Sequence, residues 1–238
     1  MSKEASFALR GRVVLPETIL LDGLVVVNGS HLLWVGEAEQ AAAAGFAREL
    51  EQASPAPEGG YLLPGLIDVH CHGGGGESFP NATTREQAMT AVLEHRRHGT
   101  TTIVTSCVTA SPEVLRERTK LLADLADEGE IAGIHYEGPF VSVERCGAQD
   151  PTYIIDPDAE LTRELLQLGR GHVVTMTIAP EKPGLLGDDG VIEALLEGGA
   201  LPSFGHTDSG AEPVRRCLEE TDRRIWSRLA TDKPVRSE

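Results

Sequence analysis

Three histidines and one glutamate have the types and placement to hold a metal ion: His70, His72, His206 and Glu137. The first two close the stretch LLPGLIDVHCHGGGG, residues 62–76, where an apolar run reads as a buried strand ending in two imidazoles and four glycines. Side chains at i and i+2 of a strand share a face. His70 and His72 therefore project together, Asp68 is expected on that face one step below, and Cys71 is turned away. Glu137 follows the apolar run of IHYEGPF, and His206 lies in SFGHTDS, each where a strand gives way to a loop. Two imidazoles, a carboxylate and a third imidazole suit Zn²⁺ or Fe²⁺ with one position left for water. Their wide separation in sequence favours a catalytic centre over a structural finger. Blander roles stay open: Glu137 bonded to its own Gly-Pro turn, His206 capping the next helix, and a His-x-His that matches by chance. His135 shares the parity of Glu137 but lies two residues deeper, and reads as a hydrogen-bonded core histidine behind the ligands. His31, His95, His98 and His172 fall on surface or connecting elements and carry no signal.

The elements that must position these groups come in two kinds. Residues 6–36 alternate short β-type runs with turn signals at Asp22-Gly23 and Asn28-Gly29-Ser30, which reads as a small antiparallel meander. Alanine-rich residues 40–52 suggest a short helix, and SPAPEGG, residues 54–60, a turn-rich connection. This places a first, β-rich portion over 1–60. From residue 61 the period changes: strands are expected over 62–70, 101–105, 131–136, 173–178 and 201–205, and helices over 84–98, 112–128, 159–168, 188–196 and 211–220. Ser111 before Pro112 is a helix start signal, and Gly99 and Gly129 stand where helix ends belong. Such alternation implies parallel strands joined by right-handed crossovers, either an open α/β sheet or part of an eight-stranded barrel. All four ligand candidates fall at strand C-terminal ends, where a barrel builds its active site. A charged tail, 221–238, is set apart.

The formal charge of −16, from 37 acidic and 21 basic residues, argues against a nucleic-acid or anionic-membrane surface. The N-terminal stretch lacks a long apolar region, and no run approaches the ~18 apolar residues of a membrane span, so a cytoplasmic protein is expected. Cys71, Cys107, Cys146 and Cys217 form no Cys-x-x-Cys pair and read as isolated, reduced thiols. The glycines 73–76 are not a phosphate-binding loop, since no Lys-Ser/Thr follows; close backbone approach to a ligand, or mere flexibility, is the use left open to them.

Taken together, LPGLIDVHCHGGGG, IHYEGPF, RCGAQDP, MTIAPE and SFGHTDS resemble the N-acetylglucosamine-6-phosphate deacetylase family of the amidohydrolase superfamily, from about residue 10 to residue 215. The resemblance implies a (β/α)8 TIM-barrel-type metal-dependent hydrolase, of which about five of eight units are present, with a small β-sandwich portion. It also implies hydrolysis of the N-acetyl group to acetate and glucosamine 6-phosphate, one or two Zn or Fe ions, a phosphorylated amino sugar as the small-molecule partner, and a homodimer. Carried over by position, His70, His72, Glu137 and His206 match metal ligands, and Ala148 and Gln149 match the loop that meets the substrate. The fourth strand, VVTMTIAP, has no lysine, unlike relatives that bridge two metals with a carboxylated lysine. Where the family commonly has histidine this chain has Gln149, which can hydrogen-bond but not carry charge. The family's later motifs, its catalytic aspartate among them, are not recognisable after His206, so no catalytic residue is assigned. The expected activity of the chain is weak, and two other readings stay open: a non-catalytic remnant or subunit that binds metal or a partner, and an amidohydrolase for another N-acylated sugar.

Overall fold

The computed structural model describes residues 6–231, with side chains through Ile225. The chain divides between Gly65 and Leu66 into two compact units. This is a few residues later than the change of period suggests, because Tyr61 and Leu62 pair with Arg12 and Val13 and so belong to the first unit.

In that unit β1 (Phe7–Val14), β2 (Ile19–Asn28) and β3 (His31–Glu37) form the expected antiparallel meander. After α1 (Ala47–Glu51), β4 (Ser54–Pro55) and β5 (Tyr61–Leu62) add parallel pairs to β1. The turn at Asn28-Gly29-Ser30 is present, with Asn28 opposite His31. Asp22-Gly23 is not a turn: it lies inside β2, with Gly23 opposite Gly11 and Asp22 bound by Arg10 at 2.7 Å. The alanine-rich segment is not one helix either, since Gly45, at φ +91, separates a short 3₁₀ turn at Ala38–Gln40 from α1. One sheet face packs Ala8, Leu24 and Val26 against Ala38, Ala41, Phe46 and Leu50. Leu9, Val25, Leu32 and Val35, which alternate with them, line an apolar groove with Leu62 and Leu63.

The second unit opens with β6 (Leu66–Cys71), the small hairpin β7 (Gly73–Gly74) and β8 (Glu77–Ser78), and α2 (Arg85–Arg97). Then come β9 (Thr100–Val108), α3 (Pro112–Asp127), β10 (Gly133–Glu137), α4 (Ala159–Leu168), β11 (Val173–Ile178), α5 (Val191–Glu197), β12 (Leu201–Phe204) and α6 (Ala211–Thr231). The five long strands are all parallel, in the order β6-β9-β10-β11-β12. Sequential order without reversal is barrel winding; a doubly wound sheet reverses at a switch point.

Local chemistry explains the helices. Thr84 and Gln87 cap α2 reciprocally, Ser111 accepts from Val114 N ahead of Pro112, and Asp158 accepts from Glu160 N and Leu161 N at 2.9 Å. Their apolar faces bury Leu115, Leu122, Leu161, Leu165, Ile192 and Leu195 against Ile134, Tyr136, Met176 and Ile178 of the sheet. Each such side chain contributes about 1.5–3 kcal/mol. α6 continues beyond the expected end at residue 220. The nearly buried Arg224 is held there by Glu220, Glu193 and, at 3.0 Å, Asp188, so residues 221–231 of the tail are helical and 232–238 lie outside the described residues.

β6 departs from the buried strand that its apolar run suggests. Among the described residues it pairs only with β9, and Leu66, Ile67 and Val69 are more than half exposed.

Candidate metal centre

The C-terminal ends of β6, β10 and β12 bring the expected groups together. His70 and His72 project to one side, their Nε2 atoms 2.9 Å apart. Glu137, at the end of β10, places Oε1 at 3.5 Å from His70 Nε2 and Oε2 at 3.0 Å from His72 Nε2. These three offer ligand atoms within 4.8 Å of one another. His206 reaches the trio through Glu137, with Nε2 at 2.9 Å from Oε1, and stands outside that tight set.

Backbone carbonyls orient two of the rings. His72 Nδ1 donates to Ser106 O at 3.2 Å, and His206 Nδ1 donates to Arg145 O at 2.8 Å. With the ring proton spent on a carbonyl, each Nε2 presents its lone pair. Both lone pairs then face carboxylate oxygens, and that of His72 faces His70 as well. Electron-pair donors at such distances repel unless protons or a cation lie between them. Nitrogen and oxygen donors in this number fit a divalent metal ion.

The surroundings hold these groups in place. His206 sits at φ +49, a conformation uncommon outside glycine, and its carbonyl accepts from Ser142 N at 2.8 Å. Gly138, next to Glu137, has φ +96, and a Cβ there would lie 2.1 Å from Thr109 Oγ1, so the tight turn after the ligand requires glycine. His135 is buried, with Nδ1 at 2.9 Å from Ser106 Oγ and Nε2 at 2.8 Å from Thr177 Oγ1. Burial first, and then the neighbouring His70, push its pKa down to about 4.

Two expectations change. Asp68 does not share the histidine face. A register shift between Asp68 and Cys71 sets three steps of β6 against two of β9, and the extra residue reverses the parity. Asp68 lies instead with Cys71 and His95, its Oδ1 accepting from His70 N at 3.1 Å. His95, read from sequence as carrying no signal, meets Cys71 Sγ and Gly73 O, each at 3.1 Å. A helical histidine facing a strand it does not adjoin in sequence leaves no local signature. Ser106 was also missed, although its Oγ accepts from Cys71 N at 3.1 Å and its carbonyl orients His72. Of the loop pair, Ala148 is exposed and Gln149 is buried. Gln149 Oε1 accepts from Thr109 N at 2.9 Å, while Nε2 has no protein partner. Both line a cavity of about 350 Å³ with Thr109, Ser111, Arg118 and Tyr153, and the four ligand candidates are not among its walls.

No helix among the described residues is long and apolar enough to cross a membrane. Residues 61–224 match the amidohydrolase family. A solved structure of N-acetyl-D-glucosamine-6-phosphate deacetylase from Mycobacterium smegmatis, a variant in complex with N-acetyl-D-glucosamine-6-phosphate, is 34% identical with TM-score 0.77, covering 91% of this chain and 54% of that one. The N-acetylglucosamine-6-phosphate deacetylase of Lysinibacillus sphaericus is 29% identical over 213 residues, 85% of this chain and 54% of the relative. An N-acetylgalactosamine-6-phosphate deacetylase of Shewanella is 31% identical over 162 residues, 67% of this chain and 40% of the relative. The chain thus spans about half the length of the curated relatives it matches. The barrel winding, the donors gathered at its strand ends and the match over most of the sequence agree, and the chain belongs to the amidohydrolase family.

Proposed function

We propose that this chain carries the metal-binding part of an amino-sugar-6-phosphate deacetylase centre, one that hydrolyses the N-acetyl group of N-acetylglucosamine 6-phosphate to glucosamine 6-phosphate and acetate. The observation that carries it is the convergence of imidazole nitrogens and carboxylate oxygens from three strand ends in a chain similar to such deacetylases. His70, His72 and Glu137 hold a divalent ion, Zn²⁺ or Fe²⁺, with His206 as a further ligand beside Glu137. When bound, such an ion polarises an amide carbonyl and lowers the pKa of water from 15.7 to about 7. The carbonyls of Ser106 and Arg145 keep two imidazoles aimed inward. Glu137 supplies negative charge to balance the ion, and His135, kept neutral by burial, adds no competing positive charge. The exposed Ala148, beside a buried Gln149 that Thr109 N holds through Oε1, stands for the loop expected to meet the sugar, with an uncharged amide where charge is not needed.

Proton delivery to the leaving amine needs a further acid. Asp68, the carboxylate nearest in sequence, faces away from the histidines. That observation favours a second reading, a chain that binds metal with little turnover of its own. One experiment separates the two: acetate release from N-acetylglucosamine 6-phosphate and its galactosamine counterpart by the zinc- or iron-loaded chain, alongside its Glu137→Gln variant. Glu137-dependent acetate release supports the deacetylase, metal binding without release supports the second reading, and equal metal binding by both proteins sinks the centre itself.

A further inference from the structure

Asp68, Cys71 and His95 form a second cluster, turned away from the histidine pair, that the hydrolytic reading does not use. We propose that they constitute a second, structural divalent-metal site of the zinc class, completed by the carbonyl of Gly73. The ligand atoms of the three side chains lie within 4.8 Å of one another. Cys71 Sγ is 3.1 Å from His95 Nε2, Gly73 O is 3.1 Å from the same nitrogen, and Sγ is 3.7 Å from that oxygen. A tetrahedral ion with bonds of about 2.0–2.3 Å spaces its ligands by about 3.3–3.8 Å, so small shifts of these groups admit the ion. One sulfur, one imidazole nitrogen and two oxygens are a softer set than the first centre offers, and select zinc over magnesium or calcium.

The backbone is shaped for this approach. The register shift in β6 brings Asp68 and Cys71 to one side of a strand whose pleat would otherwise oppose them. Gly73 adopts φ +144, and a Cβ on Gly74 would lie 2.9 Å from His95 Nε2, so a side chain there would crowd the imidazole. Cys71 is 6% exposed, and Asp68 and His95 are partly buried around it. Coordination replaces the thiol proton, which passes to solvent; no electron transfer is involved. Because Asp68 also holds the amide of His70, filling this site stiffens the strand end that carries the first centre.

Cobalt substitution of the full chain tests the site, because sulfur ligation to Co²⁺ gives a charge-transfer absorption in the near ultraviolet that nitrogen and oxygen ligands do not. The wild-type chain is expected to show that band and to bind about two ions, against about one in Cys71→Ser and in His95→Gln. The Glu137→Gln chain, with its first centre disabled, keeps the band, so this outcome is independent of any deacetylase activity. In Cys71→Ser and His95→Gln, affinity at the first centre falls about 10–100-fold. His95→Gln, lying on α2, keeps the test informative if Cys71→Ser does not fold. A wild-type chain that binds cobalt without the band, or that binds none, overturns the proposal and leaves Cys71 and His95 as a thiol–imidazole hydrogen bond.

Discussion

In β10 every residue from Gly133 to Tyr136 is buried, whereas in β6 Leu66, Ile67 and Val69 are more than half exposed and only Cys71 is buried. β10 has β9 on one side and β11 on the other; β6 has β9 alone among the described residues. Both strands end in ligand candidates. Glu137 is therefore fixed by the packed strand beneath it, and His70 and His72 by polar anchors: Asp68 on the His70 amide, Ser106 on the His72 ring and the Cys71 amide. A metal centre held by apolar packing on one strand and by hydrogen bonds on the other should fail differently when each is disturbed.

The largest effect is expected at the packed side. Glu137→Gln removes the charge that the converging nitrogens face, and metal affinity measured by competition with a chelating dye should fall by more than the about 100-fold at the upper end of outer-shell changes. Retained affinity would mean that the histidines suffice without β10. Next, Ile134→Ala should cost about 2–5 kcal/mol of stability in urea denaturation, because the side chain is fully buried between sheet and helices. A smaller, pH-dependent effect comes from His135. Its folded pKa, about 4, lies below the ordinary 6.5, so the fold favours the neutral ring. That contribution is complete above pH 6.5 and is lost as pH falls through about 4. The difference in stability between the wild type and His135→Asn should shrink over that window; a difference flat with pH would remove His135 from the comparison. Ser106→Ala strands the Cys71 amide and one ring nitrogen of His135, and should cost about 1–3 kcal/mol. Val69→Ala, at a position 64% exposed on β6, should change stability by no more than about 0.5 kcal/mol. If Val69→Ala proves as costly as Ile134→Ala, β6 is covered in solution and the contrast between the strands collapses.

The elements were legible where local chemistry decides them. α4 and β11 fall on the residues expected from apolar period and capping, and α3 begins at the Ser111-Pro112 signal. The convergence of His70, His72 and Glu137 was legible too, because strand parity and barrel winding both act through spacing that a sequence displays. What was not legible depends on events between strands. The reversed face of Asp68 follows from a one-residue slip against β9, and slips are set by pairing partners that a single strand's sequence does not name. The approach of His95 to Cys71 depends on how α2 lies over β6, and the helical length of 221–231 on Arg224 finding Glu193 and Asp188 in distant segments.

Ser106 has one hydroxyl proton to give. Its oxygen already accepts from the Cys71 amide, and the acceptor within reach is Nδ1 of His135. The hydroxyl therefore donates across the sheet, and the ring proton of His135 resides on Nε2, donating to Thr177. A second proton on that ring would occupy Nδ1 and turn the Ser106 hydroxyl away. The proton inventory of a buried histidine on β10 is thereby coupled, through one serine rotor on β9, to the Cys71 amide at the end of β6.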